Sequence, residues 1–434
     1  MLVVVGLAPL IFGSNNASTQ MVETFLIAVV ALLYITLSGN SLPAGWWQPT
    51  AVAVLSVLTL MYVAFQLLPL GLEGRSVNGL AAPGTISIAP GDTWIGLINL
   101  CGFALFALLV RFASRHEKRR MFLFSSAFVL VALYAVLGLA LLRMGDTLLF
   151  IEKTAYRGVT TATFVNRNSY ATFLSMGFVV GLAWLGGRFG RLATPQPAGS
   201  RWSTALAVVG LLAILASLIA TNSRMGLVAC AAGTVMVFVL WVTSSARGVL
   251  SIVLPLVAAA VAASVLFVTL GTGLVTRLIS TEDDFGQRLE LYRQVARMIE
   301  ARPITGFGLE AFEVAFPLFH QLPLAIDSTI RNAHSTYLAL WTELGLVAGT
   351  LPMLIFGLCL IGAVARALRP HPGWPIAAAG AGAMVVAAVH STVDFSLEIQ
   401  ANVYFLIFVV MLLPPRDDRR AAKAEPEPSR QPSV

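Results

Sequence analysis

The 434-residue chain has a formal net charge of +7, with 57% hydrophobic and only 11% charged residues. Soluble domains carry roughly 45–50% apolar and about 25% charged residues, so this composition excludes a water-soluble globule and makes the bilayer the solvent. Nucleic-acid binding is not indicated, because the basic residues lie in short clusters between apolar runs. The three cysteines all lie inside apolar runs, which predicts neither a disulfide framework nor a zinc site.

Apolar runs near the roughly 20 residues of one helical span divide the chain into twelve predicted spans. The spans are 1–13, 21–38, 49–70, 94–112, 121–143, 168–187, 203–220, 225–243, 249–271, 335–365, 374–394 and 400–414. We interpret the first as a span and not as a cleaved signal peptide, because no basic segment precedes it. Helices satisfy their own backbone groups in lipid, so the predicted fold is an all-α polytopic membrane protein.

The basic residues of the short connections predict the orientation. They follow spans four, six, eight, ten and twelve, and include Arg111, Arg115, Lys118, Arg119, Arg120, Arg188, Arg191, Arg201, Arg247, Arg366, Arg369, Arg416, Arg419, Arg420 and Lys423. With twelve spans, all of these residues fall on one side, and the positive-inside rule makes that side cytoplasmic. Both termini are then expected in the cytoplasm, and the tail 415–434, which is charged and rich in proline, is expected to be disordered.

The opposite side carries the connections 71–93, 144–167, 221–224 and a long loop over 272–334, whose length predicts structure or function of its own. Within the long loop, Phe285, Leu289, Tyr292, Ala296 and Ile299 recur at helical spacing. This recurrence predicts an amphipathic helix over 285–301 that ends before Pro303. A Gly306-Phe307-Gly308 turn then leads to a second short helix near 309–318.

Arg224 and His334 are the sharpest candidates for chemistry. Arg224 follows an almost loopless turn, where its guanidinium fork suits a diphosphate, although an arginine that snorkels to lipid headgroups fits the same position. His334 opens span ten, where a helix N-terminus favours neutral imidazole, the form that a general base needs. An interfacial histidine that caps the span is the plainer interpretation.

Other polar residues lie at the same rim. Asn166, Arg167 and Asn168 open span six and either bind a glycan or phosphate or cap the helix. His390 and Asp394 lie one turn apart near the end of span eleven, either as functional groups or as a pair that ties two spans together. Arg288 lies on the predicted loop helix, where a solvated helix face explains it equally well. Asp283 and Asp284 have no evident third ligand, so no metal site is predicted.

Several short motifs in order resemble the superfamily of O-antigen ligases and O-antigen polymerases (Wzy-like), which are bacterial inner-membrane glycosyltransferases. The motifs lie between about residues 80 and 412. They are Thr85–Pro90, Asn166-Arg167-Asn168-Ser169-Tyr170-Ala171, Asn222-Ser223-Arg224-Met225-Gly226, Gln287-Arg288-Leu289 with Tyr292, Gly306-Phe307-Gly308, Ala333-His334-Ser335-Thr336-Tyr337-Leu338, Glu343-Leu344-Gly345 and Asp394-Phe395. Many members have Asn where this chain has Ser335.

The resemblance implies a C-type fold in which residues 1–414 form the membrane-embedded ligase-like domain and 272–334 form a large periplasmic loop. It implies an enzyme that needs no metal or other cofactor and inverts the anomeric centre. The donor would be an undecaprenyl-diphosphate-linked glycan, and the acceptor lipid A-core in lipopolysaccharide biosynthesis or another glycan. Arg224 and Arg288 would bind the donor diphosphate and His334 would assist the acceptor hydroxyl. Asn166, Arg167, Asn168, Tyr292 and Asp394 would be further glycan or phosphate contacts.

Two other functions remain open at the level of sequence. A polymerase of the same superfamily shares the motifs with a ligase. A transporter of lipid-linked glycans belongs to a different class and would place polar groups near the bilayer midplane, often in two repeated halves. The unusual polar residues of this chain gather at one rim instead, and no internal repeat is evident, which favours the enzyme.

Overall fold

A computed structural model describes residues 1–10, 13, 16–37, 50–70, 76–77, 80–81, 84–148, 151–153, 155–189, 198–244, 281–324, 329–369 and 372–414. Thirteen α-helices lie within these residues. They are α1 (Leu2–Leu10), α2 (Ala17–Leu37), α3 (Thr50–Gln66), α4 (Pro90–Ala113), α5 (Glu117–Arg143), α6 (Arg167–Phe189), α7 (Ala198–Ala220), α8 (Arg224–Ser244), α9 (Thr281–Ala301), α10 (Phe312–Ala315), α11 (Thr336–Ala367), α12 (Trp374–His390) and α13 (Gln400–Met411). A 3₁₀ turn, Phe316–Leu318, follows α10 directly.

The predicted helical membrane protein is confirmed. Seven of the described helices, namely α2, α4 to α8 and α11, are long and apolar enough to cross a membrane, while α3, α12 and α13 are shorter apolar helices. Every predicted span except 249–271 has a helix close to its predicted place, and 249–271 lies outside the described residues. The total of twelve spans stays a prediction, as does the tail 415–434, which also lies outside them.

Two connections contain short strands that the sequence did not predict. Ser76–Val77 pairs antiparallel with Leu80–Ala81, and Thr147–Leu148 pairs with Ile151–Glu152. Each hairpin consists of two strands of two residues. Strands this short cannot show the alternation of apolar and polar residues by which a strand is predicted. The all-α fold class is therefore confirmed for the described helices, and the two short hairpins are a detail of the connections.

Helices α6, α8 and α12 form the centre of the bundle. Nearly all of α12 is buried, and its small residues let the neighbouring backbones approach closely. A Cβ atom on Gly233 of α8 would lie 2.8 Å from the carbonyl oxygen of Gly382 in α12. This close contact fixes α8 and α12 side by side, which matters because both helices carry polar residues at the same end.

Residues 281–324 fold into an outer module with its own apolar core. The core contains Leu291, Val295 and Met298 of α9 packed with Phe307, Phe312 and Phe316. The predicted helix is confirmed and begins slightly earlier, but its predicted buried face is partly wrong: Leu289 and Ala296 are exposed, whereas Tyr292 and Ile299 are half-buried. The side chain of Phe285 lies outside the described part. Two sets of apolar residues on α9 have helical spacing, the predicted set and the set that contains Leu291, Val295 and Met298. Packing within the module buries the second set.

Helix α11 is broken at Gly345, whose φ of 77° and ψ of 169° are not helical. The segment after α9 inserts into the break. The amides of Phe307 and Gly308 donate to the carbonyls of Thr342 and Glu343 over 3.0 and 2.9 Å, and the amide of Leu346 donates to the Pro303 carbonyl over 2.7 Å. Broken helices are tolerated at membrane depth where protein groups satisfy the freed backbone, and here the outer module does so.

Hydrogen bonds between connections show which helix ends lie together at each end of the bundle. Arg111 in the last turn of α4 and Arg366 near the end of α11 donate to the carbonyls of Leu413 and Pro414 over 2.6 and 2.9 Å. These contacts gather the basic connections at the end where α13 finishes. The starts of α6 and α8 lie at the opposite end, where the amide of Thr160 donates to the Ala220 carbonyl over 3.0 Å. The described geometry thus agrees with the alternation of the predicted spans.

Candidate functional site

The candidate site lies at the end of the bundle opposite the basic connections. The first turn of α6 joins two other segments there through Asn168. Its side-chain carbonyl accepts a hydrogen bond from the Ser223 hydroxyl over 2.9 Å, and its amide donates to Asp394 Oδ1 over 3.4 Å. Residues from three separate motifs, at the starts of α6 and α8 and after α12, therefore meet at one point.

Asp394 is the buried anion of this site, with 1% of its surface exposed. The Ser396 hydroxyl donates to its second carboxylate oxygen, and the Thr336 hydroxyl approaches its backbone carbonyl at 3.5 Å. A buried carboxylate is stable only when hydrogen bonds and positive charge compensate for lost hydration. Because neighbours occupy both carboxylate oxygens, Asp394 is held rigidly in the loop after α12.

His334 lies directly before the N-cap of α11 in the left-handed backbone region, at φ 50°. The hydroxyl of Tyr292 donates to its carbonyl oxygen over 2.9 Å, and its ring packs edge-to-face against Phe395 with centroids 5.2 Å apart. Its Nδ1 atom is buried without a hydrogen-bond partner among the described residues. A strained backbone that neighbours hold in place, with an unused ring nitrogen, is typical of a residue whose position is functional.

Burial lowers the pKa of His334 below its ordinary value. The charge of Asp394 raises that pKa and the charge of Arg288 lowers it, so the net shift is downward. The neutral imidazole therefore dominates at neutral pH. This is the protonation state in which histidine accepts a proton.

Arg288 lies on α9 at the edge of the site. Its Nη1 donates to the carbonyl of Val393 over 3.2 Å, which brings the guanidinium next to the Asp394 backbone. Its charge also lowers the pKa of Tyr292, although burial raises that pKa more strongly. The structure therefore brings Arg288, Tyr292, His334 and Asp394 together, with Asn168 linked to them through Asp394.

Arg224 begins α8 and is half-buried. The preceding residue, Ser223, caps the helix by accepting a hydrogen bond from the Gly226 amide at 3.2 Å and also contacts Asn168. The turn that carries Arg224 is thus fixed against α6 at the same end of the bundle.

Asn166 and Arg167 lie one step further from Asp394. The Asn166 side chain accepts hydrogen bonds from the amides of Asn168 and Ser169 over 2.7 and 3.4 Å, so it caps α6, as one of the two interpretations predicts. The guanidinium of Arg167 lies over the ring of Tyr156, 5.5 Å from its centroid. Within the described residues, neither side chain hydrogen-bonds to Asp394 or His334.

Sequence analysis missed several supporting residues. Thr172 of α6 bonds the Nδ1 of fully buried His390, which ties α6 to α12 as the structural interpretation of His390 predicts. Asn402 donates to the carbonyls of Ser169 and Ser396 over 3.0 and 2.9 Å. In the sequence these residues stand out only as polar residues inside apolar spans. That pattern does not show which residue each of them contacts.

Three other motifs form a structural unit beside the site. The amide of Ile88 donates to the Phe307 carbonyl over 2.9 Å, and the Gln66 side chain donates to the carbonyls of Thr305 and Glu343 over 2.9 Å. The Glu343 carboxylate accepts from the backbone amides of Glu310 and Phe312. These contacts hold the outer module against α3, α4 and α11. The motifs around Thr85, Gly306 and Glu343 therefore have a structural role.

The described residues contain no group of three or more His, Cys, Asp and Glu side chains arranged to hold a metal ion. The side chains of Asp283 and Asp284 lie outside the described part of the structure.

Comparison with known families adds one finding. A family model described as O-antigen ligase matches residues 206–353. This range contains Arg224, Arg288 and His334, together with the Gly306 and Gly345 turns, and it ends before Asp394. No curated protein matches the chain. The family implies glycosyltransferase-type activity, with lipid-linked glycan and acceptor substrates in a bacterial membrane.

Proposed function

We propose that this chain belongs to the O-antigen ligase and Wzy-like superfamily, whose family model matches residues 206–353, and that it transfers an undecaprenyl-diphosphate-linked glycan to a hydroxyl of lipid A-core as an O-antigen ligase. The observation that carries the proposal is the meeting of Arg288, His334 and Asp394 at one end of the helical bundle, within and next to the matched range. The proposal sets this end in the periplasm and both termini in the cytoplasm of the bacterial inner membrane, following the basic connections.

The chemical step is a single displacement. Neutral His334 accepts the proton of the acceptor hydroxyl, and the hydroxyl oxygen forms a bond to the anomeric carbon of the glycan. The bond between that carbon and the phosphate oxygen breaks, and undecaprenyl diphosphate leaves with the electron pair. Attack opposite the leaving group inverts the anomeric centre. The net downward pKa shift of His334 supports its role as the base.

Arg224 and Arg288 bind the donor diphosphate in this proposal. A guanidinium keeps its charge and presents paired donors, so it stabilises the charge that develops on the leaving group without a metal. Arg288 lies on the outer module and Arg224 on the membrane bundle, so a diphosphate held by both would bridge the two parts. Tyr292 and Asp394 act on His334 by holding its backbone and by biasing its charge.

The test uses purified full-length protein in lipid nanodiscs, with an undecaprenyl-diphosphate glycan and lipid A-core. We expect transfer that continues in EDTA and is lost in His334→Ala. The matched control is His116→Ala, because His116 is exposed at the opposite end of the bundle before α5. Full activity of His334→Ala would refute the base, and transfer from a nucleotide sugar alone would refute the donor class.

Acceptors separate the ligase from its runner-up. A polymerase would extend a second lipid-linked repeat unit and leave lipid A-core unmodified. A transporter would move the lipid-linked glycan across the bilayer without changing its covalent structure, which mass spectrometry of the products detects.

A further inference from the structure

The connection before α6 holds an aromatic side chain that the proposed reaction does not use. Tyr156 is half-buried and lies beside Asn166, which caps α6, and Arg167, the first residue of that helix. Asn166 Nδ2 donates to its hydroxyl oxygen over 3.3 Å, and the Arg167 guanidinium lies over its ring at 5.5 Å from the centroid. One aromatic ring, one amide and one guanidinium are thus grouped at the rim.

The backbone holds Tyr156 in an unfavourable conformation, with φ at 58°. Left-handed backbone is unfavourable for a non-glycine residue, so neighbouring contacts must impose it. Buried Lys153 donates to Asp146 over 2.5 Å and to the Val159 carbonyl over 2.8 Å, and the Gly158 amide donates to the other Asp146 oxygen. These bonds clamp the turn on both sides of Tyr156 and present its side chain in one place.

Arg167 retains unused hydrogen-bonding capacity. Its Nε is buried and has no hydrogen-bond partner in the described part of the chain. A buried guanidinium donor without an acceptor is costly, and a ligand oxygen would satisfy it. The Tyr156 hydroxyl accepts from Asn166, which leaves its own proton available to donate.

A short chain of contacts connects this group to the proposed reaction centre. Asn166 bonds the Asn168 amide over 2.7 Å, and Asn168 reaches Asp394 over 3.4 Å. A glycan whose anomeric carbon lies near His334 extends its remaining sugars away from that point, across a neighbouring surface. Sugar rings combine hydroxyl groups with apolar faces, and they match an amphipathic ring flanked by planar polar groups.

We propose that Tyr156, Arg167 and Asn166 form a carbohydrate subsite for sugar units of the donor beyond the one that is transferred at its anomeric carbon. The inference rests on the proposed function. It assigns these residues to glycan binding and separates them from the arginines that bind the diphosphate.

The test compares donors of different length on full-length protein in nanodiscs. One donor carries a single sugar on undecaprenyl diphosphate, and the other carries a complete repeat unit. We expect Tyr156→Ala to raise KM for the longer donor roughly two- to tenfold, the scale of one aromatic contact, and to leave KM for the single-sugar donor unchanged. Arg167→Gln should act in the same direction, and Tyr156→Phe should retain most of the affinity.

Tyr34→Ala is the matched control, because Tyr34 also contacts an arginine, Arg115 at 2.5 Å, but at the opposite end of the bundle. An equal effect of Tyr156→Ala on both donors, or no effect on either, overturns the subsite. If Tyr156→Ala melts at a lower temperature than the native protein, the KM values of Arg167→Gln for the two donors test the subsite instead.

A second readout does not depend on transfer. The oligosaccharide that mild acid releases from the lipid-linked donor should bind native protein and bind Arg167→Gln at least twofold more weakly, as measured by saturation-transfer NMR. Equal binding to both proteins overturns the subsite. Absence of transfer by the native protein from any lipid-diphosphate donor would instead refute the proposed function, so the two failures are distinguishable.

Discussion

Replacement of Gly345 by alanine tests whether the break in α11 is locked by the outer module. The φ of 77° and ψ of 169° at this position belong to a region that is almost exclusive to glycine. A Cβ atom would lie 2.2 Å from the carbonyl oxygen of Ile304, far inside contact distance. That oxygen already accepts a hydrogen bond from the Tyr62 hydroxyl at 3.0 Å, so it cannot move without loss.

The magnitude follows from these two effects. Left-handed backbone at a non-glycine residue costs about 1–3 kcal/mol, and overpacking a filled site costs about 1–3 kcal/mol more. We therefore expect Gly345→Ala to destabilise the protein by about 2–6 kcal/mol. The outer module should separate from α11 before the bundle melts, because the inserted segment 303–309 bears the clash.

The assay is thermal unfolding in nanodiscs, followed by tryptophan fluorescence and by protease cleavage within 281–324. Gly357→Ala on the same helix is the matched control, because a Cβ atom there meets nothing within 4 Å. Alanine in a helix interior is favoured over glycine by about 0.5–1 kcal/mol, so the control should melt at the same temperature or higher. Equal melting and equal protease resistance of the two variants would refute the lock.

Three further predictions concern charge and polar contacts. The pH profile of kcat/KM should fall on the acid side with a pKa below the ordinary histidine value of 6.5, since His334 must be neutral to act. We call this fall the acid limb. Arg288→Gln should move the limb to higher pH and Asp394→Asn to lower pH, and the opposite movements would contradict the assigned electrostatics. Gln66→Leu removes partners of Thr305, Glu343 and Leu309 and should cost about 2–4 kcal/mol in thermal unfolding. Lys153→Met should expose 144–167 to proteolysis. Because Asp146 has a lowered pKa, its stabilisation is present above the ordinary 3.8 and disappears as pH falls through its folded value. That acid dependence should weaken in Lys153→Met, and an unchanged pH profile of cleavage would contradict the ion pair.

The candidate site was only partly predictable. His334 and Asp394 were identified as ionisable residues at the ends of apolar runs, and Arg288 was identified through the motif that resembles the family; the structure brings the three together. The support from Ser223, Ser396 and Asn402 was not predictable, because serine and asparagine also occur at helix ends as simple caps. His390 was a functional candidate because it is ionisable and lies inside an apolar span. In the structure its described hydrogen bond joins it to Thr172 of another span, so its contact is structural.

The sequence by itself determined that the protein lies in a membrane, where its helices occur and which end carries the basic residues. These properties follow from local hydropathy and from charge in short connections, and neither depends on which helices touch. Only the tertiary structure decided which stripe of α9 is buried, because two stripes share the helical period and the partner surface of Phe307, Phe312 and Phe316 selects one. The same holds for the Gly306 and Gly345 turns. Each glycine marks a bend in the sequence, but their meeting inside a broken helix depends on residues about 40 positions apart, and only the folded chain specifies such a contact.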